Sequence, residues 1–482
     1  GVKPLVYVHN ESGLAFASTV RSLRAGGWVS ALDPLAVAEF LEYGYVPEER
    51  SIYLGARKVP PATLIEYIDG EMHERRYWEA PVAGSRTMSF EDAVDESERL
   101  LLAATEKRLQ ADVPVGALLS GGVDSALVCW AVKHLGGDVT AYTVGTPGHE
   151  ADESADAIAT AHSLGIGHEL LALTEDDQAD VSTLAAAYAE PFATSSALGM
   201  LTVSHAVSRS TAKVLLTGDG GDDIFLGYGR HMMLRRVERA AGVLPEVAGP
   251  AWRALREVVP SVGGFRRAKH LVDYVTGGLG AFLSANDGLP EYARRGLLGP
   301  RLAGAEIAAR NRPWSVSAAR RTLSDYLAHD LRTQFVSEYL NKVDGATMHY
   351  ALEARSPFLD TDLWEFAGSL PVDLRLHNGE LKAILRAIVA RRIGPRVATG
   401  AKRGFTIPVT SWIAGRWRDD VRQALLDSEL ARDGWMNARA VPRELDLAGN
   451  SETSALRLWY LYVLDAWMRA ESSAHPAAVA AA

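Results

Sequence analysis

Cysteine is nearly missing from this chain: of 482 residues only Cys129 carries a thiol. No disulfide can form within it, and a reducing compartment, the cytoplasm, is the expected location. No run of about eighteen apolar residues occurs and no signal peptide opens the chain, which speaks against a membrane partner. Basic charge is short as well. The 50 Lys and Arg against 60 Asp and Glu leave a formal charge of −10, which suits no nucleic-acid surface. Small molecules are the expected partners. There is no opening methionine, and GVKPLVYV already reads as an internal strand. The chain is therefore expected to begin part-way through a domain.

What is present is ample for folding. Apolar residues make up 48% and charged residues 23%, and the length implies two or three domains. Residues 1–85 read as a small α+β region, with strands at Pro4–Val8 and Gly13–Ser18 and a helix in DPLAVAEFLEYG. In TLIEYI-DG-EMHERRYW two strand-like runs flank Asp69-Gly70, a hairpin signal. The region shows no obvious closed core of its own. A joint rich in Pro, Gly and Ser, APVAGSRTMS, follows. In residues 90–470 short apolar strands (VGALL, VTAYTV, HELLAL, KVLLT) first alternate with helices, the pattern of a buried parallel sheet in an α/β fold, and from about Arg230 onward the segment reads as mostly helical. Residues 471–482 read as a disordered tail. No internal repeat is found.

Two glycine loops carry the chemistry. Ser120-Gly121-Gly122-Val123-Asp124-Ser125 falls where a strand turns into a helix, so bare backbone and the helix amides can approach an anion. It lacks the Gly-Lys-Ser/Thr of a Walker loop, which disfavours a kinase or motor. Asp124 would repel a phosphate unless Mg²⁺ lay between them. The second loop, in KVLLTGDGGDDIFLGYGR, sets Asp219, Asp222 and Asp223 together, where they repel one another without a cation or a shared proton. One Mg²⁺ between Asp124 and Asp222 would serve both loops. Either loop alone also reads as a glycine turn with solvated acids. A third segment, LNKVDGATMHYALEARSPFLD, reads as a helix carrying Lys342, Asp344, Glu353 and Arg355 up to Pro357. Its charges sit where burial is expected, so they mark either a site or interdomain ion pairs. Lys382 and Lys402 add cations useful against a leaving pyrophosphate, unless they are simply solvated.

Together these segments resemble the glutamine-dependent asparagine synthetase family along nearly the whole chain. Its Ser-Gly-Gly-x-Asp-Ser loop is Ser120–Ser125, its second loop resembles Gly218–Asp223, and its Lys-Val-Asp and Leu-Glu-x-Arg-x-Pro-Phe-Leu-Asp signatures resemble Lys342–Asp344 and Leu352–Asp360. The resemblance implies an N-terminal-nucleophile (Ntn) glutaminase-like domain, followed by an adenine nucleotide alpha hydrolase-like (PP-loop ATP pyrophosphatase) sheet domain with added helices. Only the second half of the glutaminase part is matched, without the family's N-terminal cysteine. Cys129 lies mid-chain and reads as core packing.

The implied reaction uses ATP and Mg²⁺: a carboxylate attacks the α-phosphorus, and an amine then displaces AMP from the acyl-adenylate. By motif match, Asp124 and Asp222 would hold Mg²⁺, while Ser120, Gly121, Gly122 and Ser125 cradle pyrophosphate. Leu119, Val144, Thr217 and Gly218 would line the nucleotide pocket. Lys402 would contact pyrophosphate, with Lys382 a second candidate. Asp219 stands where the family carries an acid near the adenylate, and Glu353 is a candidate partner acid. The family also implies a homodimer.

Departures bear on the substrate. Where the family usually reads Asp-Glu-Pro-Phe-Ala-Asp-Ser-Ser, this chain has Ala189-Glu190-Pro191-Phe192-Ala193-Thr194-Ser195-Ser196, and the usual Lys-Val-Asp-Arg is Lys342-Val343-Asp344-Gly345. Aspartate with ammonia is the favoured substrate pair. A specialised amide synthetase of the β-lactam or lasso-peptide type, using another carboxylate and an intramolecular amine, is the alternative.

Overall fold

The computed structural model describes residues 2–47, 49–145, 153–172, 179–259, 263–285, 288–400 and 407–474. Near the start, strands β1 (Val6–Asn10), β2 (Gly13–Ala17) and β3 (Ala56–Lys58) form an antiparallel sheet in the order β2-β1-β3. The helix Pro34–Tyr43 between β2 and β3 starts where Asp33 accepts from the Leu35 N–H and Pro34 sets the first φ. It ends at Gly44, whose φ of 83° only glycine adopts freely. Strands β4 (Thr63–Ile68) and β5 (Glu71–Arg76) pair around Asp69-Gly70, as the hairpin signal indicates.

The second sheet is parallel and five-stranded: β6 (Val115–Leu118), β7 (Thr140–Gly145), β8 (Gly167–Ala172), β9 (Val214–Leu216) and β10 (Glu353–Arg355), in the order β10-β9-β6-β7-β8. Its inner strands β6, β7 and β9 are largely apolar and buried because helices cover them. The helix Val123–His134, for example, is buried almost throughout, from Ala126 to Val132. Cys129 belongs to this core.

Two expectations need correction. The segment Leu340–Asp360 is not one helix. The helix Asn341–His349 stops, Ala351 takes a left-handed φ of 57°, and Glu353–Arg355 becomes edge strand β10 beside β9. Leu352, fully buried, drives that change, because extended backbone lets it reach the sheet core. The region before the joint closes no core of its own, in line with its sequence. Val6, Phe40 and Tyr53 pack in one cluster with Leu184, Trp459 and Trp467, since so short a stretch buries too little apolar surface alone. Finally, the last helix, Glu452–Ala474, runs past the expected tail boundary. Glu471 within it is only 3% exposed and accepts from both Arg21 and Arg24. Among the described residues no helix is long and apolar enough to cross a membrane.

Asp360 shows how the signature near Pro357 serves the fold. It caps the helix Thr361–Ser369 through the Asp362 N–H (3.1 Å) and accepts from Arg108 Nη1 (2.6 Å) and Lys107 Nζ (3.2 Å). Burial would raise its pKa, but the hydrogen bonds and charges of Arg108 and Lys107 outweigh it and hold the carboxyl below its usual range. A pKa lowered by folding stabilises above the unfolded value, about pH 4, and the gain is lost as pH falls through the folded value. Asp360→Asn is therefore expected to lose about 2 kcal/mol at pH 7, most of it owed to Arg108 because Lys107 is half exposed. Urea unfolding along an acid series should show the difference from wild type shrinking below about pH 4.

Candidate active site

After β6 the chain builds β7 and β8 on one side and then returns to β9 on the other. A parallel sheet that reverses in this way opens a crevice at the carboxyl ends of the two flanking strands. The two glycine loops lie there, one after β6 and one after β9. They touch: a Cβ on Gly218 would fall 2.8 Å from Asp124 Cβ, and one on Gly221 would fall 2.7 Å from Asp124 Cγ. Bare backbone is what lets the loops close on Asp124.

In the first loop, Gly122 is the N-cap of Val123–His134 and supplies no side-chain cap. The Ser120 and Ser125 hydroxyls are 2.9 Å apart, and the Gly122 N–H donates to Ser120 Oγ (3.1 Å). The Gly121 N–H donates to Glu153 Oε2 (3.2 Å). A carboxylate on a loop amide at a helix N-terminus stands where an anionic oxygen of a ligand would sit. Leu119 is buried, with its carbonyl accepting from the Thr143 hydroxyl (2.8 Å), and Val144 lies half-buried near the end of β7.

In the second loop, the buried Thr217 donates its N–H to the Arg355 carbonyl (3.0 Å), and the carbonyl of half-buried Asp219 accepts from Ser356 Oγ (2.6 Å). The repulsion among its acids is relieved in two ways. Asp222 is paired with Lys382 Nζ at 2.7 Å. At Asp223 burial pushes the carboxyl up to about 8, with Asp330, Asp219 and Asp124 adding to the rise against Arg230. The same Lys382 Nζ reaches Asp124 Oδ2 at 2.5 Å. Asp124 and Asp222 thus converge on one cation position.

The sequence-derived residues do not all meet here. Glu353 pairs with Val214 at the amino end of β9, away from the loops, and forms a half-exposed ion pair with Arg355 (2.9 Å). A role for it beside Asp219 has no geometric support. Lys402 lies outside the described residues. Glu153, Arg230, Glu338 and Tyr339 were not legible in the sequence. Arg230 lies 4.3 Å above the Tyr228 ring and donates to the Tyr339 hydroxyl (2.9 Å). Tyr339 and Glu338 come from a π-helical turn, Phe335–Leu340, and burial raises the Glu338 carboxyl. Such turns often sit at functional sites, and no local pattern announced this one. The GYGR that ends the second loop was the available signal for Arg230.

Comparison with known proteins agrees with this geometry. The asparagine synthase family model matches residues 96–469, and a glutamine amidotransferase domain model matches residues 1–78. The chain is similar to asparagine synthetase (glutamine-hydrolyzing) 1 of Bacillus subtilis strain 168, at 24% identity over 97% of this chain and 73% of the relative. It is similar to asparagine synthetase (glutamine-hydrolyzing) 3 of the same organism, at 25% identity over 89% and 68%. Amidase chry2 of Gibberella zeae is 25% identical over 94% and 73%. With two loops on one crevice and a family match over most of its length, the chain belongs to the asparagine synthase family and is a carbon–nitrogen ligase.

Proposed function

We propose that the protein is an ATP-dependent amide-forming ligase that adenylates a carboxylate, aspartate first among candidates, and lets ammonia displace AMP. The observation that carries this reading is the convergence of Asp124 and Asp222 on one cation position, beside a loop whose Gly121 amide already holds a carboxylate. The residues fit a divalent ion. Asp124 Oδ1 is buried without a hydrogen-bond partner, and both carboxylates lie within 2.7 Å of the same Nζ. Among the described residues no group of three His, Cys, Asp or Glu could hold a metal, so phosphate oxygens and water would complete its shell. Mg²⁺ bound there would neutralise charge developing on the phosphates.

A carboxylate is a poor acylating agent at neutral pH, and adenylation supplies a leaving group. A carboxylate oxygen attacks the α-phosphorus, the bond from that phosphorus to the bridging oxygen breaks, and pyrophosphate leaves. Ser120, Gly121, Gly122 and Ser125 are assigned to hold the pyrophosphate, with Lys382 and Lys402 as its cations. Leu119, Val144, Thr217 and Gly218 are assigned to the nucleotide. Ammonia then attacks the acyl carbon, AMP departs, and Asp219 is assigned to take the proton that nitrogen loses. The test is pyrophosphate release from Mg-ATP with L-aspartate and ammonium, with asparagine detected by mass. Aspartate-dependent release supports the reading.

One observation favours a different carboxylate. At Gly345, where the family usually has Arg, a Cβ would fall 2.4 Å from the Tyr188 ring. An aromatic ring fills that space, and Ala189 and Thr194 nearby carry no charge. Silence with aspartate from a folded, ATP-binding protein would move the reading to a specialised amide synthetase. The similarity to an amidase points the same way.

Glutamine as sole nitrogen donor is expected to give no amide with this 482-residue chain. Its one thiol, Cys129, is fully buried, and burial pushes its pKa up to about 12. Ellman's reagent should leave native protein unlabelled and find one thiol after denaturation. Glutamine-dependent product from this chain would refute the expectation.

A further inference from the structure

Lys382 combines two features that lysines usually avoid. It is 6% exposed, and its backbone lies in the left-handed region at φ 57°. Both bring its ammonium between Asp124 and Asp222, residues that come from separate loops, with Asp124 lying 258 positions earlier in the chain. Gly227 belongs to the same fit. A Cβ there would fall 1.9 Å from Asp222 Oδ1 and 2.2 Å from Lys382 Cε, so only bare backbone leaves room for the pair.

Two carboxylates and one ammonium sum to −1, which leaves the site attractive to cations. A divalent ion taking the same oxygens would nevertheless meet the ammonium at contact distance, where like charges repel strongly. That conflict disappears when phosphates are present to receive the ammonium. We infer that Lys382 is the resident cation of the nucleotide-free site: it holds Asp124 and Asp222 in place, resists a metal arriving alone, and yields to one that arrives with a nucleotide. This rests on the proposed use of a metal-bound nucleotide. It gives Lys382 control over the order of binding, in addition to contact with phosphate.

The experiment is a titration of the whole 482-residue protein with Mn²⁺ and no nucleotide, reading free Mn²⁺ by its paramagnetic resonance signal. Folded Lys382→Gln and Lys382→Met are expected to bind Mn²⁺ at least about tenfold more tightly than wild type. Lys382→Arg should stay with wild type, and adding Asp124→Asn to a neutral variant should remove the gain. Equal Mn²⁺ affinity in wild type and a folded neutral variant overturns the inference. Should the variants not fold, wild type alone is decisive: tight Mn²⁺ binding without nucleotide overturns the inference, and weak binding tightened by a non-hydrolysable ATP analogue supports it. The proposed reaction is judged separately, by pyrophosphate release from wild type. Tighter Mn²⁺ binding by the variants of a protein that cleaves no ATP would keep the role of Lys382 and remove the reaction.

Discussion

Asp124→Ala should lower pyrophosphate release from Mg-ATP by about a thousandfold or more while leaving the protein folded. The carboxylate stands in the first turn of the helix Val123–His134, at the crevice between β6 and β9, and shares Lys382 with Asp222. Its loss removes one of two anionic arms around the cation position, where charge must be balanced as the α-phosphorus bond breaks. Stability should change little, because Lys382 keeps Asp222 at 2.7 Å and is not left as an unpaired buried charge. Asp124→Asn tests the same point with the shape kept. Pyrophosphate release read beside the far-ultraviolet circular dichroism melt separates the two effects. An active Asp124→Ala protein would remove Asp124 from the chemistry and leave it as a loop anchor.

Glu471→Ala should have the largest effect on stability, about 3–5 kcal/mol in urea unfolding. The carboxylate accepts from Arg21 Nε (2.6 Å), Arg24 Nη1 (2.7 Å) and the Tyr53 hydroxyl (3.1 Å). Arg24 has a side chain only 9% exposed, so removing its acid leaves a guanidinium buried over the Tyr53 ring without a counter-charge. Arg21 also donates to the carbonyls of Ala185, Ala186 and Tyr188. The contact therefore joins the start of the chain, the segment before the helix Ser195–Ser208, and the last helix. Glu471→Gln, which keeps hydrogen bonding but loses the charge, should cost less. A loss under about 1 kcal/mol for Glu471→Ala would mean that solvent replaces the carboxylate, as at surface pairs.

The two sites differ in how far the sequence could reveal them. Ser120–Ser125 and Gly218–Asp223 were legible because a strand, a glycine turn and a helix start are local patterns, each set by backbone freedom and side-chain size within a few residues. The hairpin at Asp69-Gly70 was legible for the same reason. Glu353 was misread because an apolar stretch with scattered charges suits a helix and an edge strand alike. The choice fell to Leu352, which needed a place in the sheet core. Glu471 was misread because the small polar residues around it look like a tail, and its burial depends on Arg21 and Arg24, some 450 positions away.

From sequence alone came the residue types of the chemistry: the bare loops, the acids within them and the lysines able to meet phosphate. The sequence also pointed to Asp124 and Asp222 as partners around one cation; tertiary structure decided that Lys382 is the cation they share. Asp124 and Asp222 became partners because β6 and β9 are adjacent at the reversal of the sheet. Lys382 became their shared cation because the packing of the helix Ala383–Arg392, which it caps, delivers its ammonium to that crevice. The physical reason is range. Backbone preferences act over a few residues, whereas the energy of a charge depends on what lies within a few ångströms, and only the packed fold sets that.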